Sequence, residues 1–211
     1  MCGNGIRCVG KFLYDHGMVD INEKDEITIE TLSGIKKLKA YTSGGKVNRL
    51  RVDMGKAILD PKEIPVALDG DKVVDRTVEI AGKSYNITCV SMGNPHCVVF
   101  MDDIDNLDIE TIGPEFENDK LFPERVNTEF VTVLDDHTIK MRVWERGSGE
   151  TWACGTGACA VAVAACENGF CKKGEDIKIK LKGGDLIINY TDETVYMTGN
   201  AEKVFEGEVE V

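Results

Sequence analysis

Cys2 and Cys154 each open a Cys-Gly-x-Gly tetrapeptide, Cys2-Gly3-Asn4-Gly5 and Cys154-Gly155-Thr156-Gly157, and each tetrapeptide leads into a segment with helical character. The first N–H groups of a helix have no partner within it and sit at the positive end of the helix dipole, so they bind anions, and glycines let a ligand approach the backbone closely. A carboxylate suits such a place. The same field favours a thiolate over a thiol at the helix start, so each cysteine is expected to have a lowered pKa. Two such devices facing one another would hold one carboxylate between two helix ends, with a sulfur on either side of the neighbouring carbon. One thiolate would take the α-proton and the opposite thiol would supply a proton to the other face, as in a two-base racemase, while both sets of N–H donors stabilise the developing negative charge.

The elements that must hold these groups are legible as well. Ile6, Val9, Leu13 and Tyr14 recur at helical spacing with Arg7, Lys11 and Asp15 turned away, and Gly17 ends the run, which predicts an amphipathic helix. From Gly157 the run is apolar and small on every face until Asn168-Gly169, so that helix must be surrounded, inside a curved sheet. A short helix is expected over Asp108–Asn118, interrupted by Gly113-Pro114. Elsewhere β-branched and alternating runs predict strands, from Glu26–Leu32 to a final strand over Lys203–Val209. Turns such as Ser33-Gly34, Asp135-Asp136 and Gly183-Gly184 join them as antiparallel hairpins. Placing Cys2 on Cys154 also aligns Gly3 with Gly155, Gly5 with Gly157 and Gly17 with Gly169, and the downstream turns follow in the same order. The chain reads as two homologous lobes. The expected architecture is α+β: two pseudo-symmetric lobes, each a curved, mainly antiparallel sheet around a central helix. Residues 1–54 would form an incomplete N-terminal lobe and 55–199 the C-terminal lobe, with 200–211 returning to the first, and the site would lie in the cleft between lobes.

Composition narrows the function classes. The 211 residues are 42% hydrophobic and 29% charged, as in ordinary globular proteins, and the net charge is −12, which repels nucleic acid and anionic membranes. The most apolar stretch, Ala158 to Cys166, is far short of the roughly 20 residues of a membrane span, and no secretory signal opens the chain, so a cytoplasmic protein is expected. Eight cysteines form no Cys-x-x-Cys pair and three histidines stand singly, so neither a metal centre nor a disulfide framework is expected. Cys8, Cys89, Cys97, Cys159, Cys166 and Cys171 read as small buried hydrophobes. A thiol redox or metal-binding protein, and a non-catalytic remnant that binds a partner, are the rival classes.

The segments MCGNGIRC at Met1–Cys8, GNPHCV at Gly93–Val98, RVNTEF at Arg125–Phe130 and WERGSGETWACGTGACA at Trp144–Ala160 resemble diaminopimelate epimerases, and the likeness extends over the whole chain. The resemblance implies a cofactor-independent isomerase that interconverts LL- and meso-diaminopimelate in lysine and peptidoglycan-precursor synthesis; a related racemase of the same fold is the alternative. It implies Cys2 and Cys154 as the catalytic bases, and Gly3, Asn4, Gly155 and Thr156 as the cradle of the reacting carboxylate. Asn94, Asn127, Glu145 and Arg146 would bind the rest of the substrate, with His96 in support. The far zwitterion of such a substrate needs an acid for its ammonium and an arginine fork for its carboxylate. A small amino acid is thus the expected ligand, without metal or cofactor, and a homodimer the implied assembly. Family members carry a further segment before MCGNG, so this chain, read from Met1, is expected to be nearly inactive.

Overall fold

The computed structural model describes residues 2–21, 25–32 and 34–209; Met1 of the first motif and Ser33 of the expected Ser33-Gly34 turn lie outside them. The fold is α+β and divides into two compact units, one formed by residues 1–52 with 198–211 and the other by residues 53–197.

The first unit contains helix α1 (Gly3–Asp15) and strands β1 (Glu26–Thr31), β2 (Gly34–Ser43) and β3 (Lys46–Asp53), antiparallel in the order β1-β2-β3. Ile27, Leu38, Ala40, Val47, Leu50 and Val52 alternate inward and make its core. The helix docks differently from the expected stripe. Its buried residues are Gly3, Ile6, Arg7 and Gly10, whereas Val9 is exposed. Gly10 decides the docking face: a Cβ there would stand 2.9 Å from Leu38 Cδ2 and 3.0 Å from Leu50 Cδ2, so only glycine lets the helix lie this close to the sheet. Arg7 can be buried because its guanidinium reaches three acceptors, Gly3 O, Asn4 Oδ1 and Asn200 O.

The second unit carries β4 (Arg76–Ile80), β5 (Lys83–Ser91), β6 (Pro95–Phe100), α2 (Ile109–Glu117), β7 (Asn127–Asp135), β8 (Thr138–Glu145), β9 (Gly149–Thr151), α3 (Gly155–Glu167), β10 (Asp176–Leu181) and β11 (Gly184–Tyr190). A last strand, β12 (Val195–Asn200), begins in this unit beside β11 and ends in the first unit beside β3. The order runs β12-β11-β10-β8-β7-β6-β5-β4, and β9 pairs with β8 off this path. Hairpins make most neighbours antiparallel, but β6–β7 and β8–β10 are parallel pairs, bridged by α2 and α3 as parallel strands require. Helix α3 is buried from Gly155 to Ala165 and packs on β5, β6, β7, β10 and β11, so no polar face is needed.

Three segments depart from the sequence reading. Helix α2 runs through Gly113-Pro114 unbroken: the proline loses one hydrogen bond, but Asp108 caps the start and Ile109 and Phe116 bury against β7 and its neighbours. The short β9 was not expected, being only three residues long. Residues 201–209 form no strand, and Val204, Phe205 and Val209 point into solvent, so the alternation over Lys203–Val209 has no sheet face to serve. Among the described residues, no helix is long and apolar enough to cross a membrane.

Candidate active site

Both cysteines cap helices in the same way. Cys2 precedes α1 with φ −101° and ψ 106°, Cys154 precedes α3 with φ −111° and ψ 110°, and in each case Sγ accepts the N–H of the glycine three residues on, Gly5 or Gly157, at 3.3 Å. This is the N-cap position, where an extended residue turns its side chain back onto an orphan donor. A sulfur takes the place that a serine or aspartate oxygen usually occupies.

Their surroundings differ. Cys2 is exposed, beside a groove of about 560 Å³ whose apolar wall includes Ile6, Val9, Ile29 and Leu32. The adjacent Asn4 is tied to Arg7. Cys154 is 5% exposed. The expectation of a lowered pKa fails there: burial, then the charges of Glu129 and Glu145, push the thiol up to about 12, and its contacts with Thr156 and the Gly157 N–H only partly offset this. The helix-end field is real, but one N–H bond does not outweigh desolvation beside two carboxylates.

The second unit gathers most of the other expected residues. Asn94 Nδ2 donates to Thr156 Oγ1 at 3.3 Å, and Thr156 Oγ1 lies 3.5 Å from Cys154 Sγ. Asn127 is buried, donates to Pro95 O at 2.9 Å and accepts the Arg146 N–H at 3.0 Å, so its amide is a structural clasp between strand ends. The Arg146 guanidinium donates to Glu124 O at 2.9 Å, and Glu145 accepts from Thr151 Oγ1. His96 is wholly buried, with Nδ1 2.7 Å from Glu129 Oε1.

Two carboxylates in this unit escaped the sequence reading. Glu129 lies inside the RVNTEF segment, and its one signal is position, two residues beyond Asn127 on a strand and hence on the same face. Glu117 ends α2 and accepts three hydrogen bonds, from Arg125 Nη1 at 3.0 Å, Gly147 N at 2.9 Å and Trp144 Nε1 at 2.7 Å. It thereby fixes the turn that carries Arg146. Nothing local in the sequence marks it. Trp152, two residues before Cys154, is 76% exposed although its carbonyl is held by Gly183 N. No cysteine forms a disulfide, and Cys8 is exposed and Cys166 half-buried where core positions were expected. Cys8 lies on the face of α1 that the Gly10 docking turns outward. No group of three or more His, Cys, Asp or Glu side chains among the described residues is placed to hold a metal ion.

Comparison with known proteins agrees with this architecture. Among solved structures, a probable proline racemase from Agrobacterium radiobacter matches with a TM-score of 0.73 at 16% identity, over 95% of this chain and 65% of the other. A phenazine biosynthesis protein from Bacillus anthracis matches with a TM-score of 0.67 at 18% identity, over 100% of this chain and 76% of the other. At such identities these likenesses speak to fold alone. The family model for diaminopimelate epimerase matches residues 88–204. Diaminopimelate epimerases from Acetivibrio thermocellus (54% identical), Methanococcus maripaludis (51%) and Agathobacter rectalis (50%) align with the whole chain, which spans 74%, 75% and 75% of their lengths. With about half of its residues identical from end to end and the fold in agreement, this chain belongs to the diaminopimelate epimerase family.

Proposed function

We propose that the chain epimerises diaminopimelate between its LL and meso forms, with Cys2 and Cys154 as the two proton-transfer groups. One observation carries the mechanism: the same thiol cap is built twice, with Sγ 3.3 Å from a glycine N–H at the head of α1 and of α3. In one direction a Cys2 thiolate takes the α-proton and leaves the electron pair on carbon. The Cys154 thiol then gives its proton to the opposite face, becoming a thiolate, and exchange with water restores both sulfurs. Gly3 and Asn4 with Gly155 and Thr156 offer first-turn N–H groups to the α-carboxylate, where negative charge grows. Glu145 and Arg146 suit the ammonium and carboxylate of the far end, Asn94 and Asn127 hold the frame around them, and His96 supports Cys154. Thiol base, thiol acid and N–H donors together supply what the reaction needs without metal or cofactor.

The reading places the protein in the cytoplasm, in lysine and peptidoglycan-precursor synthesis, acting as a homodimer on a small amino acid. Incubating a form that also carries the family's segment before Met1 with LL-diaminopimelate in heavy water tests it. The expected result is the meso form with solvent deuterium at the reacting α-carbon; a meso product without deuterium, or no product, overturns it.

A further inference from the structure

The two thiol caps differ in one respect that the repeat does not account for. Behind the first turn of α3 stands a buried carboxylate. A Cβ on Gly157 would lie 2.5 Å from Glu129 Oε1 and 3.2 Å from Cys154 Sγ, so carboxylate oxygen and thiol sulfur border the same small space. At the matching Gly5 of α1, a Cβ would meet only Cys2 itself, with Sγ at 3.4 Å. Glu129 and His96 are both fully buried, joined by one 2.7 Å hydrogen bond, and Glu129 Oε2 and His96 Nε2 have no hydrogen-bond partner among the described residues. A buried pair with two unsatisfied polar atoms costs stability. Burial at a functional site is a common reason for bearing such a cost.

We propose that Glu129 is a positioning residue that keeps Cys154 a protonated thiol in the resting enzyme, making the two cysteines unequal: Cys154 waits as the acid and Cys2 as the base. The inference rests on Cys154 being a proton-transfer group. A carboxylate this close opposes a second negative charge on sulfur through a medium that screens poorly. Other groups near the thiol are Glu145 from β8, which adds to the effect, and His96 from β6, which bonds the same Glu129 Oε1 that borders Gly157 and moderates its charge. Cys97 on β6 also feels the charge of Glu129, whereas β10 and β11 turn Ile177, Ile179, Leu186 and Ile188 inward. Gly157 follows from the same arrangement, since any side chain there would displace the carboxylate. The resting enzyme then holds its donated proton in advance.

The test is the pH dependence of alkylation. Wild type and Glu129→Gln are treated with iodoacetamide from about pH 6 to 11, and modification of Cys2 and Cys154 is read separately by peptide mass spectrometry. All of this range lies below the Cys154 midpoint, where the rate follows the thiolate fraction. In Glu129→Gln, Cys154 alkylation is expected to run about tenfold faster at each pH, as for a fall of about one unit, while Glu129→Asp, which keeps the charge, leaves it near the wild-type rate and Cys2 alkylation is unchanged in both. An unchanged Cys154 rate in Glu129→Gln, or an equal gain in Glu129→Asp, overturns the proposal. Should that variant not hold its fold, Glu129→Met, of similar length and without charge, carries the same expectation. Because alkylation requires no turnover, a failed epimerase assay and a failed inference remain distinguishable.

Discussion

Cys154 and Cys2 share backbone angles and a cap hydrogen bond, yet one thiol is buried beside two carboxylates and the other stands in solvent. If both are obligatory proton carriers, replacing either with alanine removes one general acid–base partner, and turnover should fall by on the order of 10²–10⁴-fold. Near-normal turnover in either variant, measured by conversion of LL-substrate, would exclude the two-thiol mechanism. Glu117 gives a subtler case. In Glu117→Gln, one of three donors must face an amide NH₂, and the turn that carries Arg146 loosens. Substrate binding should suffer more than chemistry, with KM raised about tenfold, the worth of one charge-assisted bond. An equal loss in kcat with KM unchanged would assign Glu117 to the chemical step instead. At this scale the sequence shows the two cysteines, because Cys-Gly-x-Gly is repeated, and Asn94 and Thr156, because they lie in recognisable motifs. Glu129 and Glu117 stay hidden: a carboxylate in a strand or at a helix end is ordinary until the fold buries it.

Helices α1 and α3 are readable from pattern, α3 especially, since a run of small apolar residues has no polar face to offer water. The face on which α1 docks is not readable, because it depends on Gly10 meeting Leu38 and Leu50. Periodicity cannot report an absent side chain. Helix α2 shows the converse, with tertiary packing overriding a proline that local propensity would treat as a break. The C-terminal alternation shows why pattern alone is insufficient, since strand propensity without a pairing edge leaves residues 201–209 irregular. Gly113 offers the sharpest check on packing. A Cβ there would lie 2.3 Å from Trp144 Cδ2, so Gly113→Ala must push the indole aside and should cost about 1–3 kcal/mol of stability. Thermal melting of that variant at neutral pH measures it, and an unchanged midpoint would mean that the indole moves freely.

Across the whole molecule, acid sensitivity follows from carboxyls held below their ordinary range. Burial works against this at Asp15 and Glu150, but Lys11 and the Val47 N–H outweigh it at Asp15, as do Arg142 and Lys182 at Glu150. A carboxyl with a lowered folded-state pKa contributes stability above its unfolded value, near 4, and loses it as pH falls through the folded value. Glu129 has the opposite sign: burial raises its pKa, so its ionisation costs stability as pH rises past about 4. The melting temperature should therefore drop between about pH 5 and pH 3, and Glu150→Gln should flatten part of that slope; a wild-type midpoint that rises on acidification would contradict the ion-pair reading. The two tryptophans, finally, give the protein an optical asymmetry. Trp144 donates its indole N–H to Glu117 in a half-buried site, whereas Trp152 lies 76% exposed two residues before Cys154. Emission should consist of a blue, shielded component and a red component open to iodide, and a ligand settling at the head of α3 should dim or shift only the red one, making fluorescence a direct titration of occupancy that needs no label.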